Sequence, residues 1–446
     1  MATSRMAPDA DTTLLARMSE ARARTDSLFR LLPPNSFYER PIPERHRLIF
    51  YLGHLEAFDW NLLASTLGLA SRHTEFDKLF AFGIDPVGTG LPTDVASDWP
   101  DIARVEGYMR GVREALDSGL RTSAKSTESA ARRTLLNVAI EHRLMHAETL
   151  AYLLHALPVE RKTPQPRPSA DARPSPQQRS IAISAGRATL GQARSDSGFG
   201  WDNEFEENEV SVPAFAIDAF PVTNGRFLKF VQAGGYEDEG CWSPADWEWK
   251  QREGIEHPHF WSRRSGSSAA DPDAQWEYRA MFGAIPLPHS WPVYVSHAEA
   301  TAFANWSRKK LPTEAQWHRA GYGTPAGSER LQPWGDEPAD ATRGNFHFQR
   351  WDACPVDAHP AGASAFGAHD LVGNGWEWTS SYFSPFPGFE PFSFYPGYSA
   401  NFFDNKHYLM KGGSPQTDAC MARRSFRNWF QPHYPYVYAK FRCVEE

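Results

Sequence analysis

Cysteine is scarce in this sequence of 446 residues, and its four copies, Cys241, Cys354, Cys420 and Cys443, include no close pair. A disulfide framework or a thiolate zinc site needs cysteines at short, regular spacings. The sequence therefore predicts neither of these, and its cysteine usage fits a reducing cytoplasm.

Long apolar runs and an excess of positive charge are also missing. No stretch approaches the ~20 apolar residues of a membrane-spanning helix. The first residues include Asp9 and Asp11 and lack the apolar core of a signal peptide. The net charge is −8 and the pI is near 6.1. These features argue against nucleic acid or a membrane as a partner, and we expect a cytoplasmic location.

The first third of the chain has the pattern of a helical bundle. Apolar residues recur at helical spacing in four stretches, Thr12–Leu32, Pro43–Leu69, Trp99–Leu116 and Ser126–Leu157. Amphipathic helices of this length favour an antiparallel bundle, whose core is a natural place for a site built from facing helices. We assign this domain to residues 12–157.

The rest of the chain follows a different pattern. Residues 158–180 are polar and rich in proline, as in an extended linker. From 181 to 446 the sequence indicates short strands, long loops and a helix over Ala298–Lys310. The predicted fold class is thus a multidomain α+β protein.

Two histidines four residues apart, His142 and His146, stand in the fourth predicted helix, in the pattern H-x-x-x-H-x-E that ends at Glu148. Residues i and i+4 share a helix face, so both imidazoles can reach one metal ion. His54 lies in a similar apolar setting in the second helix. A chain with 16 histidines can hold such a pair by chance. The apolar setting nevertheless favours a metal site, and Glu148 is a candidate to orient an imidazole or to be a fourth ligand. Zinc and iron(II) both suit three imidazoles.

Four motifs of the C-terminal half are specific and occur in a fixed order: Leu311–Trp317, Gly373–Thr379, Gly412–Ser414 and Arg423–Trp429. Together they resemble the formylglycine-generating-enzyme (sulfatase-modifying factor) domain, which is related to C-type lectins. The N-terminal half resembles a DinB-like four-helix bundle. The two modules in this order resemble the ergothioneine, ovothiol and selenoneine synthase family over nearly the whole chain.

The resemblance implies a non-haem iron(II) enzyme that uses O₂ as co-substrate. Such enzymes join a sulfur or selenium donor to the imidazole carbon of histidine or hercynine (trimethylhistidine) and give an oxide product. Carried across by motif, the iron ligands are His54, His142 and His146. The C-terminal domain is expected to supply the substrate pocket, and the partners are small molecules.

Candidate substrate contacts follow from the same resemblance. In the family, the segment that matches Asn428, Trp429 and Phe430 contacts the betaine substrate, and aromatic faces suit a quaternary ammonium group. Twenty of the 66 residues from Trp376 to Phe441 are aromatic. Most of them, Trp376 and Trp378 in particular, are expected to build the core instead. The further candidates for substrate contact are Phe386, Tyr434 and Met145.

This chain departs from the family pattern near the expected proton donor. Well-known ergothioneine synthases have a tyrosine there, whereas alignment on the Trp376–Thr379 motif gives Phe383 and Phe386, with Tyr382 adjacent. Tyr382 and Phe383 are therefore the candidate catalytic positions.

A second departure concerns the donor. Those synthases hold γ-glutamyl-cysteine with an acidic residue and an arginine at the positions of Phe430 and Tyr434. No arginine stands between Arg72 and Arg104 in the loop after the second helix. An unpaired carboxylate would be costly to bind. The sequence therefore favours a neutral selenosugar donor, with selenoneine synthase as the matching activity and free cysteine as the nearest alternative.

Three other functions compete with this hypothesis. A formylglycine-generating enzyme needs a neighbouring cysteine pair for copper, and Cys420 has no such neighbour. A lectin-like binding protein with a structural metal and a zinc-dependent thiol transferase stay open. Three carboxylates remain unassigned between structural, capping and calcium-binding roles: Glu314, Glu377 and Asp404.

Overall fold

The computed structural model describes residues 10–71, 73–81, 91–123, 130–169, 172–196, 198–264 and 275–445. The chain divides into two compact units, Met1–Gln165 and Pro166–Glu446. The division lies inside the segment 158–180 that the sequence indicates as a linker.

The first unit is helical, as predicted. Its helices are α1 (Ala10–Phe29), α2 (Leu48–Leu63), α3 (Thr74–Leu79), α4 (Ile102–Ser123) and α5 (Ala130–Ala156). Helix α5 packs against α1 and α2, and α2 also packs against α4. Thirteen of the sixteen residues of α2 are buried, so this helix is the centre of the unit.

The predicted helix bounds need correction. The second helix was expected from Pro43 to Leu69, but α2 spans Leu48–Leu63. Residues 43–47 form a turn and a bend followed by non-helical chain. After α2, Gly68 adopts a left-handed φ of 65°, which is not helical. The third was expected from Trp99 and begins at Ile102, because Pro100 disfavours helix before it. The predicted start of the fourth, Ser126, lies outside the described residues. Helix α3 was missed because six residues are too few to show a helical period.

In its described residues, the second unit carries short strands and four α-helices. The helices are α6 (Asn224–Gln232), α7 (Pro244–Arg252), α8 (His297–Trp306) and α9 (Glu314–Tyr322). The strands are β1 (Ser180–Ile183), β2 (Gly186–Leu190), β3 (Asn208–Val212), β4 (Phe215–Asp218), β5 (Trp261–Arg263), β6 (Trp276–Ala280), β7 (Gly283–Pro286), β8 (Trp376–Tyr382), β9 (Tyr408–Lys411), β10 (Asn428–Phe430), β11 (Ala439–Lys440) and β12 (Val444–Glu445).

The helix predicted over Ala298–Lys310 corresponds to α8, which ends four residues earlier. Helices α6, α7 and α9 were not predicted. The sequence did hold a signal for α9. The Thr313 hydroxyl accepts a hydrogen bond from the backbone N–H of Gln316, and the side-chain oxygen of Gln316 accepts one from the N–H of Thr313. This capping box begins the helix inside the first C-terminal motif.

A four-stranded sheet of order β10-β9-β8-β11 brings the C-terminal motifs together. Strand β9 pairs antiparallel with β8, with Trp378 opposite Met410, and with β10, with Trp429 opposite Leu409. A second sheet, β1-β4-β12, places the last described strand beside β4. The apolar core of the unit lies against these strands and includes Trp317, Leu371 and Phe386.

The three unassigned carboxylates bind side chains of the protein. Glu377 accepts hydrogen bonds from Arg442 and from the Trp317 indole. Glu314 binds Arg427, and Asp404 binds His407. These contacts favour a structural role for Glu377 and Glu314, and Asp404 also caps its loop by accepting a hydrogen bond from Lys406 N–H. In the part of the chain that the structure describes, no helix has the length and apolar character of a membrane span.

Candidate metal centre

Three histidine side chains converge in the core of the first unit. His54 comes from α2, and His142 and His146 come from successive turns of α5. One ring nitrogen from each lies within 4.8 Å of the other two, and the ring centroids are 4.5 to 5.3 Å apart. All three residues are buried, with exposures of 1 to 4%. Within the described ranges, this trio is the group of three or more ligating side chains that could share an ion.

Several of these ring nitrogens have no hydrogen-bond partner. His54 places Nδ1 2.7 Å from the carbonyl oxygen of Phe80, which makes Nδ1 the donor and leaves Nε2 with a lone pair. That Nε2, Nδ1 of His142 and both ring nitrogens of His146 are buried without partners among the described residues. A buried polar atom left unsatisfied costs about 1–3 kcal/mol, and a divalent cation would accept the lone pair of one nitrogen in each ring. The donor set therefore fits a metal ion.

The charge state of the rings also suits a cation. Burial lowers the pKa of His54 to about 4, which the hydrogen bond to Phe80 only partly offsets. Burial lowers the pKa of His142 and His146 well below the usual value, and neighbouring histidines lower it further. The three imidazoles are thus neutral at neutral pH, which is the form that binds metal.

Aromatic rings surround the trio and fix its orientation. Phe58 stacks on His142 with ring centroids 3.4 Å apart, and Phe50 stacks on His54 at 4.8 Å. The Tyr51 ring lies 5.8 Å from that of His146. These contacts restrict ring rotation, so the nitrogens are held in place before any ion binds.

Two residues of α5 that the sequence singled out lie beside the trio. Met145 and Glu148 are both half-buried. The acceptor that orients His54 is the backbone oxygen of Phe80, which sequence reasoning could not find because any residue can offer a carbonyl. The roles of Glu148 as an orienting group and of Met145 as a substrate contact stay predictions.

A second cluster, in the other unit, gathers several predicted substrate contacts around Trp429. Phe383 is fully buried and stacks on Trp429, with centroids 4.0 Å apart and planes 6° apart. Phe402 and Tyr398 lie 5.5 and 5.6 Å from the same indole. The guanidinium carbon of Arg427 lies 5.1 Å from the centre of the Phe383 ring. In this Trp429 cluster, Asn428 and Trp429 are half-buried, so both side chains are partly accessible.

Other predicted contacts lie in different surroundings. Phe386 is buried in the core, beneath the Arg427 guanidinium at 4.0 Å. Tyr382 is 44% exposed, and its hydroxyl accepts a hydrogen bond from Tyr408 at 3.2 Å. Consecutive residues of a strand face opposite sides, so Tyr382 and Phe383 diverge. Trp376 and Trp378 are buried core residues, in line with their expected structural role.

The two positions expected from the family resemblance to bind a charged donor molecule carry stacked aromatic side chains in this chain. Phe430 and Tyr434 have ring centroids 5.1 Å apart and planes 12° apart. Each arginine of the nearby motif is bound to a protein carboxylate: Arg423 to Glu204, Arg424 to Glu329 and Arg427 to Glu314. In the loop after α2, Arg72 and residues 82–90 lie outside the described residues.

Comparison with known proteins agrees with both modules. Residues 165–446 match the family described as sulfatase-modifying factor enzyme 1-like domain, and residues 17–150 match the DinB superfamily.

Similar proteins include hercynine oxygenase of Mycobacterium tuberculosis, 40% identical over 57% of this chain and 58% of that protein. The hercynine oxygenase of Mycolicibacterium smegmatis is 35% identical over 69% of this chain and 70% of that protein. Ergothioneine biosynthesis protein 1 of Neurospora crassa is 29% identical over 93% of this chain and 56% of that protein. The chain thus spans little more than half the length of the first and third of these relatives.

The resemblance stated from the motifs is confirmed by both matches and by these relatives. With a DinB-superfamily unit followed by a sulfatase-modifying factor enzyme 1-like unit, this chain belongs to the ergothioneine and ovothiol synthase family.

Proposed function

We propose that this protein is a non-haem iron(II) enzyme that uses O₂ to join hercynine to a selenosugar through a C–Se bond, in selenoneine biosynthesis. The single observation that carries the proposal is the buried trio of neutral imidazoles with unpartnered nitrogens. Hercynine oxygenases among the similar proteins support the imidazole substrate and the use of oxygen.

His54, His142 and His146 would hold the ion. Ferrous iron with open coordination positions would supply dioxygen activation and a binding position for the donor. Because neutral imidazoles add no charge, the site keeps its full positive charge and attracts an anionic selenolate or thiolate. The stacked Phe50 and Phe58 rings exclude water from the imidazoles.

Side chains of the second unit would recognise hercynine. The quaternary ammonium group of this betaine is attracted by aromatic faces, and Trp429, backed by the stacked Phe383 ring, offers a rigid one. The side chain of Asn428 accepts a hydrogen bond from its neighbour's backbone N–H, which leaves its NH₂ to donate to the substrate carboxylate. Phe383 serves as a support for Trp429, while Tyr382 carries the accessible hydroxyl.

The choice of donor rests on charge. Carboxylates of γ-glutamyl-cysteine would need cationic partners, whereas Phe430 and Tyr434 are a neutral stack and the neighbouring arginines bind protein carboxylates. A hydroxyl-rich selenosugar brings no charge beyond its selenolate, so its binding leaves no carboxylate unpaired. This supports selenium over γ-glutamyl-cysteine as the donor.

The overall reaction balances with one O₂ for each product. The imidazole C–H and the donor Se–H bonds are lost and a C–Se bond forms, which releases two electrons. Oxidation of selenium to the selenoxide releases two more. These four electrons reduce O₂, so that one oxygen atom enters the selenoxide and the other leaves as water.

The test supplies anaerobically iron-loaded, full-length protein with hercynine, oxygen and either a reduced selenosugar or cysteine. We expect oxygen uptake and a product mass that contains hercynine and selenium. The same protein loaded with zinc is the matched control and should show neither. If the protein turns over cysteine efficiently and does not turn over the selenosugar, the donor is a thiol and the proposal of a selenium donor is wrong. If neither donor gives oxygen uptake and the protein holds zinc tightly, a binding protein with a structural metal is the better description.

A further inference from the structure

A buried ionic cluster joins the two helices that carry the histidines. Arg143 of α5 donates to Glu56 at 3.0 Å and to Asp59 at 2.5 Å, both on α2. All three residues are fully buried, with exposures of 0%. We call Arg143, Glu56 and Asp59 the α2–α5 clamp.

The clamp joins α2 and α5 beside the candidate metal ligands His54 and His142. Arg143 directly follows His142 in sequence, and its Nη2 also donates to the carbonyl oxygen of Leu55 at 3.0 Å. Leu55 directly follows His54. The Arg143 guanidinium therefore links the residue that follows His142 to the backbone of the residue that follows His54.

Relative sliding of the two helices would destroy the site. A shift by one residue moves a side chain by ~1.5 Å along the helix axis, whereas metal–ligand distances tolerate only ~0.2 Å. The hydrogen bond of His54 goes to the carbonyl oxygen of Phe80, so it does not join α2 to α5. The clamp is thus a polar link between the two helices beside the histidines.

Stability alone does not account for such a cluster. A buried ion pair often contributes no more than apolar residues of the same volume, and its best-attested use is to fix register. Glu56 is also held by Arg113, at 2.7 Å, and Arg113 binds Asp26 of α1 at 2.8 Å. Arg143 therefore binds a carboxylate that a second arginine also holds in place.

We propose that Arg143 is a positioning residue of the metal centre, which fixes the register of α2 against α5 through Glu56 and Asp59 so that His54 meets His142 and His146. The inference rests on the proposed function only in requiring that this trio binds a metal ion.

The experiment titrates metal-free, full-length protein with Co²⁺ alone and records the affinity and the visible d–d spectrum. In Arg143→Lys the charge is kept, but one ammonium cannot reach two carboxylates and a carbonyl together. We expect cobalt affinity at least ~10-fold weaker than wild type and a shifted d–d band that reports altered ligand geometry. A purely structural role would lower stability without changing the spectrum of the bound ion.

The matched control is Arg22→Met. Arg22 joins α1 to α4 through an ion pair with the partly exposed Asp117 at 2.6 Å. Its charge also acts on Glu56 and Asp59 of α2, but among the described residues its hydrogen bond goes to Asp117. The variant therefore removes a nearby charge and leaves the hydrogen bonds of the clamp intact. This variant should bind Co²⁺ within twofold of wild type, with the same spectrum. If Arg143→Lys does not fold, Asp59→Leu/Arg143→Met removes both charges together and leaves Glu56 with Arg113. It carries the same expectation.

The outcomes separate the two proposals. Suppose that wild-type protein binds Co²⁺ and that the folded Arg143 variants bind it with the same affinity and the same spectrum. That result would overturn the positioning role and leave the proposed function standing. If wild-type protein takes up neither Co²⁺ nor Fe²⁺, the proposed function fails and the positioning role fails with it.

Discussion

At the scale of single residues, the trio buries polar nitrogens without partners among the described residues, and a metal ion would bind one nitrogen of each ring. His146 is 1% exposed, and neither of its ring nitrogens has a hydrogen-bond partner in the described part of the chain. Such a residue is unfavourable in the metal-free protein because it leaves polar atoms desolvated. Ligation of a metal ion by one of these nitrogens explains why such a ring is buried here.

His146→Ala should separate stability from metal binding. We expect metal affinity to fall by at least about 100-fold, because two imidazoles hold a divalent ion far less well than three. The metal-free variant should unfold within about 1–2 kcal/mol of wild type, since the loss of packing is offset by the loss of unsatisfied atoms. Cobalt titration and urea denaturation measure the two quantities.

His73→Ala is the control for this substitution, since His73 is exposed in the same unit. It should change neither quantity. An unaltered cobalt affinity in His146→Ala would contradict the assignment of His146 as a ligand.

Lys411 supplies a pH-dependent prediction in the second unit. Burial lowers the pKa of this lysine to about 8, with Glu314 and Arg427 acting in opposite directions, while its Nζ donates to the carbonyls of Arg424 and Phe426. In the unfolded chain its pKa is about 10.4. Between these values the unfolded chain binds the proton and the folded protein does not, so stability rises with pH.

The comparison is with Lys411→Met. From pH 7.5 to 9.5, wild type should gain about 1–2 kcal/mol of unfolding free energy relative to the variant. Urea denaturation at both pH values measures this difference, because other titrating groups are common to the two proteins. Parallel pH dependences would show that Lys411 keeps an ordinary pKa.

The sequence was sufficient for some of these residues and insufficient for others. His142 and His146 were predictable because four residues on a helix fix their proximity locally. The α2–α5 clamp left a signal, since Glu56, Asp59 and Arg143 are charges inside apolar helices. Their pairing joins residues 84 and 87 positions apart, which a single sequence does not reveal.

At the scale of elements, the position of α2 depends on one close contact. Gly53 precedes His54, and a Cβ atom built on it would lie 2.5 Å from the ring of Phe80. Phe80 is fully buried and provides the carbonyl that orients His54. The helix can therefore approach Phe80 only because residue 53 has no side chain.

Gly53→Ala should harm both the helix packing and the centre. Alanine gains about 1 kcal/mol in helix propensity, but overpacking costs about 1–3 kcal/mol, so we expect net destabilisation. Displacement of Phe80 should also weaken Co²⁺ binding by about 10-fold, as expected when a group that orients a ligand moves.

Gly107→Ala on α4 is the matched control, since its Cβ would have Arg110 as nearest neighbour at 3.9 Å. It should be neutral or stabilising by about 0.5–1 kcal/mol. Equal behaviour of the two variants would show that Phe80 gives way freely.

Element types could be predicted better than element bounds. The long helices of the first unit and α8 followed from periodicity, whereas α3, α6, α7 and α9 have only six to nine residues. Such short helices depend on caps and on tertiary packing more than on pattern. The pairing of β8, β9 and β10 required the folded structure, because long loops separate these strands.

At the scale of the whole molecule, we propose that the helical unit holds the metal ion and that the second unit determines the substrates. Within one family, donor choice is a difference of affinities that depends on the charges a site offers. Phe430 and Tyr434 form a neutral stack at the positions where the family resemblance led us to expect an acid and an arginine. The double variant Phe430→Asp/Tyr434→Arg would place an acid and an arginine at these two positions, four residues apart in the chain.

We expect Phe430→Asp/Tyr434→Arg to increase kcat/KM for γ-glutamyl-cysteine by about 10-fold or more relative to wild type, because each unpaired carboxylate costs several kcal/mol and a guanidinium binds it in a bidentate manner. Turnover of the selenosugar should fall, since the aromatic stack is lost. The control is Phe430→Ala/Tyr434→Ala, which removes the stack without adding charge and should gain no activity toward γ-glutamyl-cysteine. Competition between the two donors, followed by mass spectrometry of the products, measures the switch. If the alanine variant gains as much as the charged one, steric access and not charge governs the choice of donor, and the electrostatic argument for selenium is wrong.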